Sequence, residues 1–483
     1  MKKTIKVGLS VLGSLVILLL VYVLINLVDA GPARLDVEGN LDLSSFETYC
    51  LSVVGTPSFD KSNGYYRLWT LTEPSDVDIE SDEVLLKYRR MHDPQFDMDK
   101  YRKEWLTNPN AWVAGKAKEY KGFYEPYMRK RREILKKHED FDSSHHGEGT
   151  RDWTRRILTN KQSVLELISL YRVFLERYQK LVDSDMFKDF TFISYDTTFP
   201  HLLAWLQISK VYNTVHMLDA LEGNWEKGIS HILDHVELGK KAVKTGRSLI
   251  FNLVAKAVMK EALNALAALM NEPEFPKSLC KTIVDRLPPI GPDEFGTRIP
   301  LLLEGFFFCH QVEEGGLLLQ KNRTQQYFCD FLSKLVNSEK IPPFKWESTP
   351  LEMKVKNGVF WWLQNPRGKS MFEDFLKRKG VRNLFTTVFK AYSLKAVYDM
   401  TRISAELHLA YQPGKPVEEI LQGLDTYRSW VDLCTGKPYI WDSRKQILYS
   451  IGMDRDDDGG KVDRQTMDTD IILPVVLYIR NDS

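Results

Sequence analysis

Gln162-Ser163-Val164-Leu165-Glu166-Leu167-Ile168-Ser169-Leu170-Tyr171-Arg172-Val173-Phe174-Leu175-Glu176-Arg177-Tyr178-Gln179-Lys180-Leu181 decides how this chain folds. Val164, Leu167, Tyr171, Phe174, Tyr178 and Leu181 recur at alternating spacings of three and four, which places them on one face of a helix. Downstream, Leu202, Trp205, Ile208, Tyr212, Val215 and Leu218 repeat the pattern. Gly223-Asn224 ends that helix and starts another, which carries Ile229, Leu233 and Val236. After Gly246 and Ser248, a fourth helix is expected over Leu249 to Met270, ending near Asn271 and Pro273. Short connections turn neighbouring helices back on one another, so residues 160–272 read as a stack of helical hairpins. Gly223-Asn224-Trp225-Glu226-Lys227 has a tetratricopeptide flavour, but no second copy follows at a fixed period.

Outward from this stack, Pro288-Pro289-Ile290-Gly291-Pro292 is a turn-rich linker. A second helical region spans 293–410, with helices expected over Leu301–Leu319 and Gln325–Val336, and a break at Pro342-Pro343 and Pro350. A long helix from Val381 to Ala410 would bury Val381, Phe385, Val388, Tyr392, Val397, Met400, Ile403 and Leu407. Gly414 and Pro416 end it, and a short helix over Val417–Leu424 follows. The period then becomes strand-like in Tyr439-Ile440-Trp441, Ile447-Leu448-Tyr449 and 471–479, giving a small β module within 411–483. Upstream, 31–150 is mixed and charged: short β or irregular structure to about 80, then a salt-laced helix face around Arg129-Lys130-Arg131-Arg132.

The N-terminus supplies a membrane signal. Val7 to Val28 is an apolar run of 22 positions without a charge, enough to span a hydrocarbon core of about 30 Å. Lys2, Lys3 and Lys6 precede it, whereas Asp29, Asp36 and Glu38 follow with Arg34 among them. The expected topology is a cytoplasmic tail over 1–6, a transmembrane anchor over 7–28 and an extracytoplasmic, periplasmic body. The rival is a cleaved signal peptide with Val28-Asp29-Ala30 at its end, but signal h-regions span about 7–15 residues, so a retained anchor is the reading. The fold class is therefore mainly α: an N-terminal transmembrane helix, an exported helical-hairpin body, and a small antiparallel β module after a long helix.

Composition narrows function by exclusion. Lys and Arg total 66 against 65 Asp and Glu, so no global field attracts nucleic acid, and none is expected as a partner. Cys50, Cys280, Cys309, Cys329 and Cys434 are scattered, with no C-x-x-C pair, and form neither a disulfide framework nor a zinc ribbon. No nucleophile elbow, phosphate-binding P-loop or dinucleotide fingerprint occurs. His231 and His235 stand i, i+4, a spacing able to hold a transition metal, but the H-E-x-x-H pattern is absent and no third ligand is evident. They are read as part of a packed or solvated helix face.

Asp454-Arg455-Asp456-Asp457-Asp458-Gly459-Gly460 carries the chemistry that remains. Asp454, Asp456 and Asp458 followed by Gly459 give D-x-D-x-D-G, the opening half of an oxygen-ligand calcium loop. From Asp454 to Asp470 seven aspartates face three basic residues, and such a density repels itself unless it is solvated or metal-bound. The twelfth position is Gln465 where an EF-hand wants Glu, so this is not a standard EF-hand. Two readings stand: a calcium site, with Asp463, Asp468 or Asp470 completing the shell, or a polar turn between two strands.

The layout from about 380 to 480 resembles a known ending: a long helix, Asp432-x-x-x-Gly436-Lys437-Pro438-Tyr439, then Tyr449-Ser450-Ile451-Gly452-Met453-Asp454, the acidic Gly-Gly turn and Asp470-Ile471. It is similar to the C-terminal region of type II secretion major pseudopilins, and more so to large membrane-anchored bacterial proteins of planctomycete type that carry the same ending. The resemblance implies a small antiparallel sheet with a stabilising calcium, held by Asp454 and Asp470, with Asp457 and Asp458 as further candidates; Asp454, Asp456, Asp458 and Asp470 are thus the expected metal ligands. It departs at Asp432-Leu433, where the pattern has Asp-Pro, and at Gly8-Leu9-Ser10-Val11, where a pilin processing site is missing. No prepilin cleavage or filament assembly is therefore inferred, and the larger family brings no established activity with it. The expected function is a single-pass envelope protein with a structural or interaction role, contacting the membrane through 7–28 and envelope proteins through its body. The alternative is a type II membrane metal-dependent enzyme, glycosyltransferase-like, using Asp454-Arg455-Asp456 as its D-x-D.

Overall fold

The computed structural model describes residues 34–36, 40–42, 60–73, 77–82, 84–85, 129–130, 132–133, 151–189, 200–310, 320–339, 341–345, 365–377, 379–452, 456–460 and 471–475. The expected tail over 1–6 and the expected anchor over 7–28 lie outside them, as do Asp454, Asp470 and most of 31–150. Among the described residues the chain is mainly helical, with a small three-stranded antiparallel sheet near its C-terminal end. It divides into two compact units.

The larger unit takes in 56–296, 342–345 and 389–483. Its centre is the expected stack: α3 (Lys161–Val182), α4 (Leu202–Leu221), α5 (Trp225–Thr245) and α6 (Leu249–Met270), preceded by α1 (Gly64–Thr70) and α2 (Arg151–Thr159) and followed by α7 (Lys277–Arg286). In α3 all six residues of the quoted stripe are buried. The Ser248 hydroxyl accepts from the Phe251 amide at 3.1 Å, which caps α6 where the sequence places its start. α4 and α6 depart from the one-stripe picture. Helices pack on several sides of α4, so Asn213, Thr214 and His216 are buried along with its apolar positions. Fifteen residues of α6 are buried, from Leu249 to Met270.

Glycines set how closely these helices approach. A Cβ added to Gly228 on α5 would lie 2.4 Å from the His216 carbonyl oxygen and 2.8 Å from Ala220 Cβ on α4. On Gly239 it would lie 2.6 Å from Met259 Cβ on α6. Both helices therefore pack backbone to backbone at these levels.

α1 falls where short β or irregular structure was expected. Seven residues are too few to hold a helix alone; tertiary contacts hold this one. Asn63 Oδ1 accepts from the Tyr65 and Lys188 amides at 3.1 and 2.8 Å, and its Nδ2 donates to the Lys188 carbonyl at 2.9 Å. Tyr65 then packs edge-on against Phe187 and Phe251.

The smaller unit contains Thr297–Ile341 and Trp346–Val388 with an N-terminal hairpin, β1 (Arg34–Asp36) and β2 (Asn40–Asp42). Its helices are α8 (Arg298–His310), α9 (Lys321–Ser338) and α10 (Pro366–Lys377). Phe328 and Phe331 of α9 close on Phe372 of α10. Asn365, in a left-handed conformation at φ 51°, accepts from the Gln320 amide at 2.9 Å and donates to Thr324 Oγ1 at 2.8 Å. α11 (Lys379–Ala410) begins in this unit and continues into the larger one.

Gly228→Ala should destabilise the larger unit. Overpacking costs about 1–3 kcal/mol, against a gain of about 1 kcal/mol in helix propensity, and the obstacle here is backbone. A lowered urea midpoint with unchanged slope is the expected result.

Candidate functional site

The C-terminal module begins after α11 with α12 (Val417–Gly423) and α13 (Asp425–Ser429), then β3 (Ile440–Asp442), β4 (Ile447–Ser450) and β5 (Ile471–Pro474). The strands pair antiparallel in the order β3-β4-β5, with Trp441 opposite Leu448 and Ser450 opposite Ile471. Asp442 accepts from the Arg444 and Lys445 amides at 2.9 and 3.0 Å and closes the β3–β4 turn. Strand alternation splits the sheet: Leu448, Leu473 and Val475 join the helical core, whereas Ile447, Tyr449 and Ile451 form a small cluster with Ile440.

A polar system on α11 docks this sheet. The Lys395 ammonium donates to both Asp399 carboxylate oxygens one helical turn along. The Tyr439 hydroxyl donates to Asp399 Oδ2 at 2.9 Å, and the Tyr427 hydroxyl to the Tyr439 carbonyl at 2.7 Å. Burial pushes the Asp399 carboxyl up from its ordinary range, and the Lys395 charge and Tyr439 hydrogen bond oppose that shift. Lys395 and Arg402 both lie over the Trp430 ring, 5.0 and 5.6 Å from its centroid. From β5, the Pro474 carbonyl accepts from Asn271 Nδ2 at 3.0 Å, beside the end of α6.

Asp432 organises the approach to β3. Its amide donates to the Lys437 carbonyl and its carbonyl accepts from the Gly436 amide, both at 2.7 Å. Its carboxylate accepts from the Cys434 amide at 2.9 Å and meets the Ser450 hydroxyl and Ile451 amide at the end of β4. Burial raises this carboxyl above the usual range, and the same hydrogen bonds hold it down. Gly436, at φ 72°, leaves room for the Phe344 ring 2.9 Å from where a Cβ would stand.

Beyond β4 the acidic turn comes into view. Asp456, Asp457 and Asp458 are exposed. Asp457 Oδ1 accepts from the Tyr449 hydroxyl and the Gly459 amide, each at 2.9 Å. Gly459 and Gly460 take left-handed conformations at φ 65° and 70°, and the Lys445 ammonium donates to the Gly459 carbonyl. Of the expected ligands, Asp456 and Asp458 thus flank a braced Asp457, while Asp454 and Asp470 lie outside the described residues. Among the described residues no three His, Cys, Asp or Glu side chains are grouped as metal ligands.

The His231/His235 pair resolves into two separate environments. Trp205 Nε1 donates to the Tyr178 hydroxyl oxygen at 3.2 Å, and that hydroxyl meets His235 Nε2 at 2.8 Å. His235 Nδ1 lies 2.7 Å from Asn213 Oδ1. With Trp205 able only to donate, the chain is satisfied when Tyr178 donates to Nε2 and Nδ1–H donates to Asn213, a neutral imidazole. Complete burial, with a contribution from His216, lowers the His235 pKa to about 3. His231 instead stacks on His216. The buried partners Tyr178, Asn213 and Trp205 come from α3 and α4, so sequence spacing along α5 carried no signal of them.

No protein-family model, curated protein or solved structure matches this chain. Among the described residues no helix is long and apolar enough to cross a membrane.

Two tests follow from the buried groups. Lys395→Met should cost about 3–5 kcal/mol, because it strands the Asp399 charge; adding Asp399→Asn should recover much of that loss in urea denaturation. For His235, the unfolded chain takes up a proton below about pH 6.5 while the native state stays neutral to about 3. Stability present above 6.5 is therefore lost as pH falls, by about 1.4 kcal/mol per pH unit for this group. His235→Gln should flatten the slope measured by urea midpoints.

Proposed function

We propose that this protein is a single-pass, membrane-anchored envelope protein with a structural or interaction role, its body extracytoplasmic and its C-terminal module stabilised by calcium. One observation carries the choice of a non-enzymatic role. Among the groups with displaced ionisation, His235, Asp399 and Asp432 are buried and hydrogen-bonded inside the fold. Catalytic groups with shifted pKa values sit instead in clefts where substrate reaches them. The glycosyltransferase-like alternative needs a parallel nucleotide-binding sheet, and the described strands all pair antiparallel.

The donor set of the acidic turn suits calcium. Carboxylate oxygens are the hard ligands that this ion takes, and Asp456 and Asp458 are exposed on either side of Asp457. One Asp457 oxygen takes both bracing hydrogen bonds. Ser450 pairs with Ile471, so the segment bearing Asp454 and Asp470 leaves and returns on neighbouring strands. Asp454 and Asp470 would join Asp456 and Asp458 in holding the ion, which would screen the mutual repulsion of the aspartates and tie β4 to β5.

The full chain in detergent should show a higher Tm in calcium, a stabilisation of about 2.7 kcal/mol at a hundredfold excess over Kd. An Asp454→Ala, Asp470→Ala variant should lose that rise. A wild-type melt unmoved by calcium or chelator reduces the loop to a solvated turn. Separately, resistance to carbonate extraction and cleavage by protease added outside the cytoplasmic membrane test the anchor and its orientation.

A further inference from the structure

The α4–α5 hairpin carries titratable groups that the docking of the sheet does not use. His216 and His231 face each other across it, rings stacked at 4.3 Å and 21°. His216 is 7% exposed, and Tyr212 covers it edge-on at 4.4 Å. The Nδ1 atoms of both rings are buried without a hydrogen-bond partner. The helix backbones touch at this level, through Gly228 and the His216 carbonyl.

The charged surroundings are few. On α4, Asp219 Oδ2 lies 3.7 Å from His216 Nδ1, but Lys227 of α5 holds the same oxygen at 3.0 Å. Asp234 of α5 is paired with Arg286 of α7 at 2.8 Å. Glu261 of α6 faces Lys210 of α4. His235 is engaged by Tyr178 of α3 and by Asn213. A proton on His216 would thus sit in a buried face against a second imidazole, with the carboxylate in reach already shared.

We propose that the His216–His231 stack is an acid-sensitive latch, closed while the buried His216 ring is neutral and opened at the Gly223 end of the hairpin by proton uptake on His216. In the closed form, burial first and His231 second lower the His216 pKa. Once opened to water, the ring titrates as an ordinary histidine, so protons favour the open form. Linkage makes the opening constant rise about tenfold per pH unit below about 6.5 for one such group. Opening would uncover the seam between Ala220 and Gly228, which the closed hairpin seals.

Amide hydrogen exchange on the full chain, corrected for intrinsic rates, reads this directly at pH 7, 6 and 5. Opening constants for amides in 217–231 should rise about tenfold per unit below 6.5, ahead of those in the centre of α6. His216→Phe keeps a stacking ring and should remove the rise, whereas His235→Gln should leave it in place. An equal rise in His216→Phe overturns the latch, and so do opening constants in 217–231 no larger than those at the centre of α6, which mark global unfolding. So does a rise that added zinc abolishes and chelator restores, which would make the pair metal ligands. Independently of any variant, the His216 Cε1–H resonance must titrate together with the exchange; titration without a change in exchange also overturns it.

Discussion

A carboxylate inside a hydrophobic helix face must be matched, and on α11 that requirement falls on Asp399. Its answer comes from two directions. Lys395 reaches it along the same helix, and Tyr439 reaches it from the segment entering β3. The second partner is what joins the sheet to the helices, since a Tyr hydroxyl satisfies the carboxylate only when β3 starts at one place. Tyr427 then ties α13 to the Tyr439 carbonyl, and Trp430 lies under the two cations of α11. An apolar pair at 395 and 399 would pack as well but would leave the sheet free to shift. The ion pair contributes position more than stability.

Periodicity carried most of the helical architecture. The bounds of α6 follow from Ser248 as cap and Asn271 as stop. The long helix expected over Val381–Ala410 runs Lys379–Ala410, and Val388, Tyr392, Val397, Met400, Ile403 and Leu407 are all buried. The strands fall close to their sequence signals, with the third described over Ile471–Pro474. Other features left no periodic trace. α1 depends on Asn63 meeting a segment 125 positions away, which no local window contains. Buried Asn213, His216 and Asp399 read as polar positions until their partners on other helices are known. The glycines at 228 and 239 are contact points between helices, a role that depends on residues of α4 and α6 and leaves no local signal.

The motif that drew attention in the sequence is doing something more local than its outline suggests. Tyr449 and Ser450 are not passive strand residues beside an acidic loop. Tyr449 braces Asp457, and Ser450 meets the Asp432 carboxylate. Asp432 and Asp457 therefore brace the C-terminal end of β4 through adjacent residues, one carboxylate buried and one exposed. The contacts from Asp432 through Tyr449-Ser450 to Asp457 fix how this segment folds. The role of the other aspartates was less legible, because alternation of carboxylates is shared by ion sites and solvated turns alike.

The bond from Asn271 to the Pro474 carbonyl joins positions 203 apart in the chain. Synthesis runs from the N-terminus, so α6 is complete long before the strand that covers its end exists. Until β5 arrives, that end of α6 presents apolar surface with no internal occupant, and a chain stopped short of residue 475 never covers it. Contacts of such long span close late and slowly, and the interval is one in which exposed helix ends collect other chains. Maturation of this protein is thus a matter of timing, with the last few strand residues acting as the closing stitch on a helical body assembled well beforehand.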